Sequence, residues 1–355
     1  MENENLLHIS FSPHIRGTQT ITKIMLDVII ALIPALIASV LIFGLRALLM
    51  TLAAVAAAVT TEHIISVFLL KKKTTVGDLS AVVTGMLLAF NLPVAINPAM
   101  TILGAVFAIA IVKCAFGGLG FNFMNPALAG RAFLLASYPM AMTGSIFARS
   151  GYLGKLPENL SGINIDAISG ASAIDGISTA TPLVAIKIIQ AVKTIELTDL
   201  QDSFYSLFIG NIGGTIGETS VLALLLGGIY LIYRGIINPV VPALYIGGVF
   251  LLYLIFGQTD VSFFSGTAFT VAMFQILSGG LFLGAFFMAT DMTTTPITAK
   301  GQAIFAAGCA IITFIIREFG GYPEGCSYSI LLMNLFTPLI DKCVKPRVYG
   351  TGRKR

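Results

Sequence analysis

The sequence predicts an all-α polytopic membrane protein, with about ten transmembrane helices in two inverted five-span repeats. Three observations carry this expectation. Of 355 residues, 56% are hydrophobic and only 11% charged, where a soluble domain carries roughly 25% charge. The apolar residues gather into ten segments near bilayer length, and similar short patterns recur on either side of one long polar interruption. The net charge of +4 is too small and too diluted by apolar sequence to mark a nucleic-acid partner, so the lipid bilayer is the expected environment.

Residues 1–23 read as a polar N-terminal segment. They lack a short apolar core followed by a small-residue cleavage site, so no secretory signal peptide is predicted and the first spans are expected to direct insertion. A bilayer helix needs about 20 apolar residues, fewer where it is broken inside a bundle. Five candidates fill residues 24–138: Ile24 to Leu45, Leu48 to Leu70, Leu79 to Ile96, Met100 to Cys114 and Asn125 to Tyr138. Five more fill 219–340: Thr219 to Tyr233, Val240 to Phe256, Ala268 to Ala289, Gln302 to Ile316 and Ser327 to Ile340. A basic tail, 341–355, closes the chain.

The Lys/Arg bias of short loops orients the set. With a cytoplasmic N-terminus, fourteen basic residues fall on the cytoplasmic side, among them Lys71, Lys72, Lys73, Lys113 and Arg234. Six fall outside: Arg46, Arg149, Lys155, Lys187, Lys193 and Arg317. Both termini are therefore expected in the cytoplasm. The interruption at 139–218 is expected outside and carries seven acids against four bases, including Asp166, Asp175, Asp199 and Asp202. Its Gly, Ser, Thr and Pro content marks a loop, in which Leu183 to Val192 could form a short interfacial helix.

Five spans on each side of one loop would place a second copy upside down. Ile111 to Gly118 reads IVKCAFGG and Ile315 to Gly321 reads IIREFGG, each followed by a short span. Upstream lie polar, proline-bearing breaks, Asn91 to Pro98 and Thr290 to Pro296. Unwound backbone at membrane depth is tolerated where it is buried in protein or lines a polar cavity, so both breaks are candidate sites. The same residues also read as ordinary loop punctuation.

A charge at mid-membrane costs about 2.5–3.5 kcal/mol on insertion scales, which singles out Asp291 and Arg131. Arg131 lies shortly after Asn125-Pro126 and would pair with a phosphate, a carboxylate or a half-helix end, or else snorkel to the interface. Asp27, Glu62 and His63 lie nearer segment ends and are expected at the interface. The cysteines Cys114, Cys309, Cys326 and Cys343 form no C-x-x-C pair and read as small hydrophobes, with cluster ligation as the alternative. His8, His14 and His63 are too scattered for a metal site, and no phosphate-binding glycine loop is present.

In the outer loop, Asp175-Gly176-Ile177-Ser178-Thr179-Ala180-Thr181-Pro182-Leu183 reads by composition as a turn into an apolar run, with Thr181 as N-cap and Pro182 at the first helical position. The same segment resembles the flavinylation motif of the NqrB/RnfD family. Ser12-Pro13-His14, Ile24 to Asp27, Phe116 to Phe133 and Met288 to Asp291 are similar to that family as well, so the resemblance spans nearly the whole chain. Thr179 departs from it, standing where the family often has Gly.

The resemblance implies covalent FMN on Thr181 through a phosphoester, with Asp175, Ser178 and Ala180 in the segment that the attaching flavin transferase reads. It also suggests a second, non-covalent riboflavin. Asn125, Arg131 and Asp291 complete the candidate cofactor-binding set. No catalytic residue and no metal ligand is expected. The implied role is a relay subunit of an Rnf complex in a bacterial cytoplasmic (inner) membrane, passing electrons between ferredoxin and NAD with movement of Na+ or H+. Rnf subunits A, B, C, E and G would be its partners, and the isolated chain would be inactive. An NqrB-like quinone reductase subunit and a solute channel of the same fold are the alternatives.

Overall fold

The computed structural model describes residues 19–71, 74–143, 183, 204–210, 213–257, 266–320 and 324–345. Among them the structure is all helical, with no strand and a single isolated antiparallel bridge between Pro93 and Thr215. Each of the ten apolar segments read from the sequence contains helix, although Leu79 to Ile96 is helical only as far as Phe90 and Ala268 to Ala289 is split in two. Three helices are long and apolar enough to cross a membrane, Ile21–Phe43, Leu45–Leu69 and Ala299–Phe319, and a bent pair makes a fourth.

Helix α1 (Ile21–Phe43) starts where Thr20 accepts from the Lys23 N–H and ends at Gly44, whose φ of 78° favours glycine. Its outward positions Leu26, Ile30, Ile33, Ile37 and Leu41 recur at helical spacing and are exposed, while Asp27, Ala31, Ala35 and Ser39 are buried. That is the pattern of a helix whose apolar face meets lipid. Helix α2 (Leu45–Ile64) runs on through a π-helical turn, Ile65–Leu69.

Helix α3 (Ser80–Phe90) has 11 residues, about 16 Å and so roughly half the hydrocarbon thickness. It stops at the first predicted break. The chain restarts in α4 (Pro98–Phe107), continued by the π-helical Ala108–Cys114, and then in α5 (Pro126–Ser137) and the short α6 (Pro139–Thr143). Both α4 and α5 begin on Asn-Pro. Asn97 and Asn125 accept from the first free amides of their helices, and the proline sits where its missing N–H is not needed.

The second half comprises α7 (Val221–Tyr233), α8 (Val240–Phe256), α9 (Gly266–Leu277), α10 (Leu281–Leu283) with its π-helical extension Gly284–Met288, α11 (Ala299–Phe319) and α12 (Cys326–Cys343). Residues 268–277 and 281–288 meet at 63°, the geometry of a broken span or a re-entrant loop. The packing of the halves is parallel in kind: α2 lies on α3 and α4, and α8 lies on α9 and α11. Helix α1 packs on α7, and α5 on α12.

Asp27 and Glu62, expected near the ends of their spans, are buried and paired with bases that sequence distance hides, while His63 is exposed. Lys113 and Arg317, counted above as loop charges, are also buried, which removes one base from each side and leaves the orientation bias intact. Of the cysteines, Cys114, Cys309 and Cys326 are buried and Cys343 is exposed. The expected interfacial helix at Leu183 to Val192 lies, apart from Leu183, outside the described residues.

The contact between α1 and α7 rests on the absence of a side chain at Gly227, where a Cβ would lie 2.0 Å from the Ala31 carbonyl oxygen. Gly227→Ala is expected to destabilise the folded chain by about 1–3 kcal/mol, against the helix-propensity gain that alanine normally brings. Gly247→Ala, with no atom within 4 Å of the added carbon, should be neutral or slightly stabilising. Thermal unfolding of the two variants in one detergent compares them.

Candidate functional site

Polar groups collect in two places where helices stop inside the protein. The first surrounds a cavity of about 90 Å³, lined by Ser80, Lys113, Asn122, Asn125, Asp291 and Thr293 among apolar neighbours. Lys113, from the end of the α4 extension, donates to Glu62 Oε2 at 2.8 Å and Oε1 at 2.9 Å and to Ser80 Oγ at 2.6 Å. Thr75 also donates to Glu62 Oε1, at 2.6 Å. Lys113 and Glu62 side chains are each 2% exposed, so the pair is fully withdrawn from solvent.

Across the cavity, the Asp291 carboxylate accepts from the Thr293 hydroxyl at 3.0 Å and the Thr294 hydroxyl at 3.3 Å. These bonds fold the second break into a compact turn. Asn122 ties the turn to the first half by donating to Thr293 Oγ1 at 3.0 Å, and its own buried Oδ1 has no partner among the described residues. The cavity suits water or a small cation.

The second place is the junction of the halves, built on Arg131 from α5. Its guanidinium donates to Asn91 Oδ1 at 3.1 Å and Ser327 Oγ at 2.7 Å and pairs with the Glu324 carboxylate just ahead of α12. Asn91 is held in place by donating to the Leu87 carbonyl at 2.6 Å. Glu218, ahead of α7, is 4% exposed and accepts from the Thr215 N–H at 3.3 Å. Met288 connects the two places: Asn125 donates to its carbonyl at 3.5 Å and Asn91 to its sulfur at 3.6 Å.

Of the candidate residues, Asn125 and Asp291 therefore line one cavity, whereas Arg131 stands in the separate junction, already committed to protein groups. Asp175, Ser178, Ala180 and Thr181 lie outside the described residues. Sequence reasoning did not single out Glu218 and Glu324. A signal for them existed, since a mid-span arginine calls for a carboxylate and each glutamate stands directly before an apolar run.

Removing one member of the Lys113–Glu62 pair leaves the other charge buried and alone. Lys113→Met and Glu62→Gln are each expected to destabilise by about 3–5 kcal/mol, and the double variant by clearly less than the sum. A double-mutant cycle on unfolding of the purified chain measures the difference.

A sequence profile of the NQR2, RnfD, RnfE family matches residues 8–350. The D subunit of the Na(+)-translocating ferredoxin:NAD(+) oxidoreductase complex of Acetobacterium woodii is 48% identical over 351 residues, 99% of this chain and 98% of its own length. Its counterpart in the proton-translocating ferredoxin:NAD(+) oxidoreductase complex of Clostridium ljungdahlii is 44% identical over 351 residues, again 99% and 98% of the two chains. The D subunit of an ion-translocating oxidoreductase complex from Halorhodospira halophila is 36% identical over 353 residues, 96% and 95% of the two chains. Together with its apolar helices, these relatives make the chain an integral membrane protein, and it belongs to the NQR2, RnfD, RnfE family.

Proposed function

We propose that this chain is the flavin-carrying membrane subunit of an Rnf-type complex that moves electrons between ferredoxin and NAD with coupled transport of an ion. The observation that carries the reading is the match over nearly the whole chain to relatives named as D subunits of ferredoxin:NAD(+) oxidoreductase complexes. One of those relatives is named for Na+ and the other for protons, so membership alone does not choose the ion. The chain works in assembly with Rnf subunits A, B, C, E and G and is inactive by itself.

FMN is attached at Thr181. Its hydroxyl forms the phosphoester, and Asp175, Ser178 and Ala180 belong to the segment recognised by the flavin transferase. Bound FMN supplies an acceptor that takes electrons in pairs or singly, at a potential set by its surroundings. A hydroxyl in a loop suits this role because a modifying enzyme can reach it, and a following helix start favours the phosphate. A second, non-covalent riboflavin goes with this reading, with no residues assigned to it.

Ten crossings in two inverted repeats are the architecture we assign. The matched packing of α2 with α3 and α4, and of α8 with α9 and α11, supports it. Both termini are then cytoplasmic and Thr181 is outside. Asp291, facing the cavity, is the residue on which we place ion passage through this half.

Co-expression with a flavin transferase, a denaturing gel read by in-gel fluorescence and peptide mass spectrometry test the attachment. The unmutated chain should fluoresce and carry an FMN mass increment on Thr181, and Thr181→Ala should be dark. No covalent flavin in the unmutated chain, with the transferase active on a known target, would leave Thr181 a helix cap. In the assembled complex, Asp291→Asn should cut ion transport at least several-fold while the gel fluorescence stays; unchanged transport removes Asp291 from the path.

A further inference from the structure

Beside the cavity at Asp291 lies a larger chamber of about 240 Å³, whose polar lining is Asn238, Thr290, Thr295 and Gln302. The two spaces share one wall, made of Ile236, Ile237, Thr290 and Met292. Away from that wall the chamber reaches the surface, where Ile297 at its rim is 80% exposed; Ile237 in the wall is 8% exposed. Asn238 donates to Gln302 Oε1 at 2.8 Å and so ties the turn between α7 and α8 to α11. The rim is fastened to the end of α12, where the Ile297 N–H donates to Asp341 Oδ1 at 3.1 Å and the Thr298 hydroxyl to the Val344 carbonyl at 3.4 Å. Arg234, Lys300 and Lys342, all bases of the side read as cytoplasmic, stand within two residues of Ile236, Gln302 and Asp341.

We infer that this chamber is the cytoplasmic vestibule through which the ion reaches Asp291, and that Ile236, Ile237 and Met292 are the gate between the two spaces. The inference rests on the placing of ion passage at Asp291. The vestibule has room for several waters, so an ion keeps its hydration up to the wall. Its polar lining is neutral, and among the described residues no charged side chain faces it. An ion is therefore admitted without being held, which passage requires of an entry step. The charge that holds it lies beyond the wall, at the Asp291 carboxylate, with the unpartnered Asn122 Oδ1 lining the same cavity. Within the wall Thr290 alone is polar, and its hydroxyl is donated to the Phe286 carbonyl at 2.6 Å. The rest is an apolar constriction of the kind that excludes water until its side chains part. Met292 is suited to parting, being unbranched and seated in the turn that Asp291, Thr293 and Thr294 form.

Thiol labelling of the assembled complex in membrane vesicles tests this, on a Cys343→Ser background that removes the exposed native cysteine. A cationic, membrane-impermeant methanethiosulfonate should modify Thr295→Cys in inverted vesicles and not in right-side-out ones, and the modification should cut ion transport several-fold. Thr84→Cys, which lines the inner cavity and not the vestibule, should react several-fold more slowly, and adding Ile237→Ala should bring its rate towards that of Thr295→Cys. Should Ile237→Ala fail to assemble, Ile237→Val and Met292→Ala are read in its place. Modification of Thr295→Cys from the outer face alone overturns the inference, as does complete modification with transport unchanged. A Thr84→Cys rate indifferent to all the wall variants overturns the gate. Failure of the underlying reading shows separately: unchanged transport in Asp291→Asn, with the labelling pattern intact, removes the carboxylate as the ion's destination and keeps the vestibule and its gate.

Discussion

Every backbone amide and carbonyl that stops at membrane depth has to be answered from within the protein. The structure is organised around that requirement. Helix α3 ends at Phe90, and its carbonyl accepts from Gly217 N and Thr215 Oγ1, both at 2.9 Å, while Ile216 N donates to Leu92 O at 3.0 Å. The chain that caps α3 thus comes from the last residues of the long interruption. The end of α9 is answered by a charged side chain instead, the Arg317 guanidinium on the Gln275 and Ser278 carbonyls, which also opposes the negative end of that helix. The breaks are therefore where polar groups accumulate, and the first of them is closed by residues distant in sequence.

Charge pairs select the remaining neighbours, two of them buried and the third, Asp27–Arg234, with its arginine about half exposed. Glu62 and Lys113 lock α2 to the end of the α4 extension within the first half. Asp27 accepts from Tyr230 at 2.8 Å and from Arg234 at 3.0 Å, and so joins α1 to α7; Arg131 and Glu324 join α5 to the start of α12. Pairs taken out of water contribute little net stability, since desolvation offsets most of the attraction. Their effect is to make wrong packings costly. An apolar helix in lipid has no hydrophobic reason to prefer one neighbour over another, and a charge that must find its counterion supplies one.

Much of this was legible in the sequence. Apolar runs gave helix positions closely, to the residue for Val240–Phe256, and Asn-Pro pairs marked where α4 and α5 restart. Arg131 was legible from the cost of a mid-span charge. The partners were not, because pairing is a tertiary fact: nothing near Asp27 in the chain announces Tyr230 or Arg234. Glu62 was read from its place near a segment end, and the partner that buries it, Lys113, lies 51 residues further along the chain.

The cavity and the junction are not independent, and Met288 is the reason. Its carbonyl accepts from Asn125 beside the cavity, and its sulfur accepts from Asn91, which in turn holds Arg131. A close-packed interior answers displacement by rearranging neighbours rather than by compressing them. Movement of the turn that follows Met288, in which Asp291 is bound by Thr293 and Thr294, must therefore lengthen one of the two asparagine contacts or carry both asparagines along. Either way the contacts that leave Met288 lead from the cavity to Asn91 and Arg131 at the junction. The covalent path from Asp291 to Glu218 runs through the α10 bend and the whole of α8, so it is the packing across the breaks that lets one site sense the other.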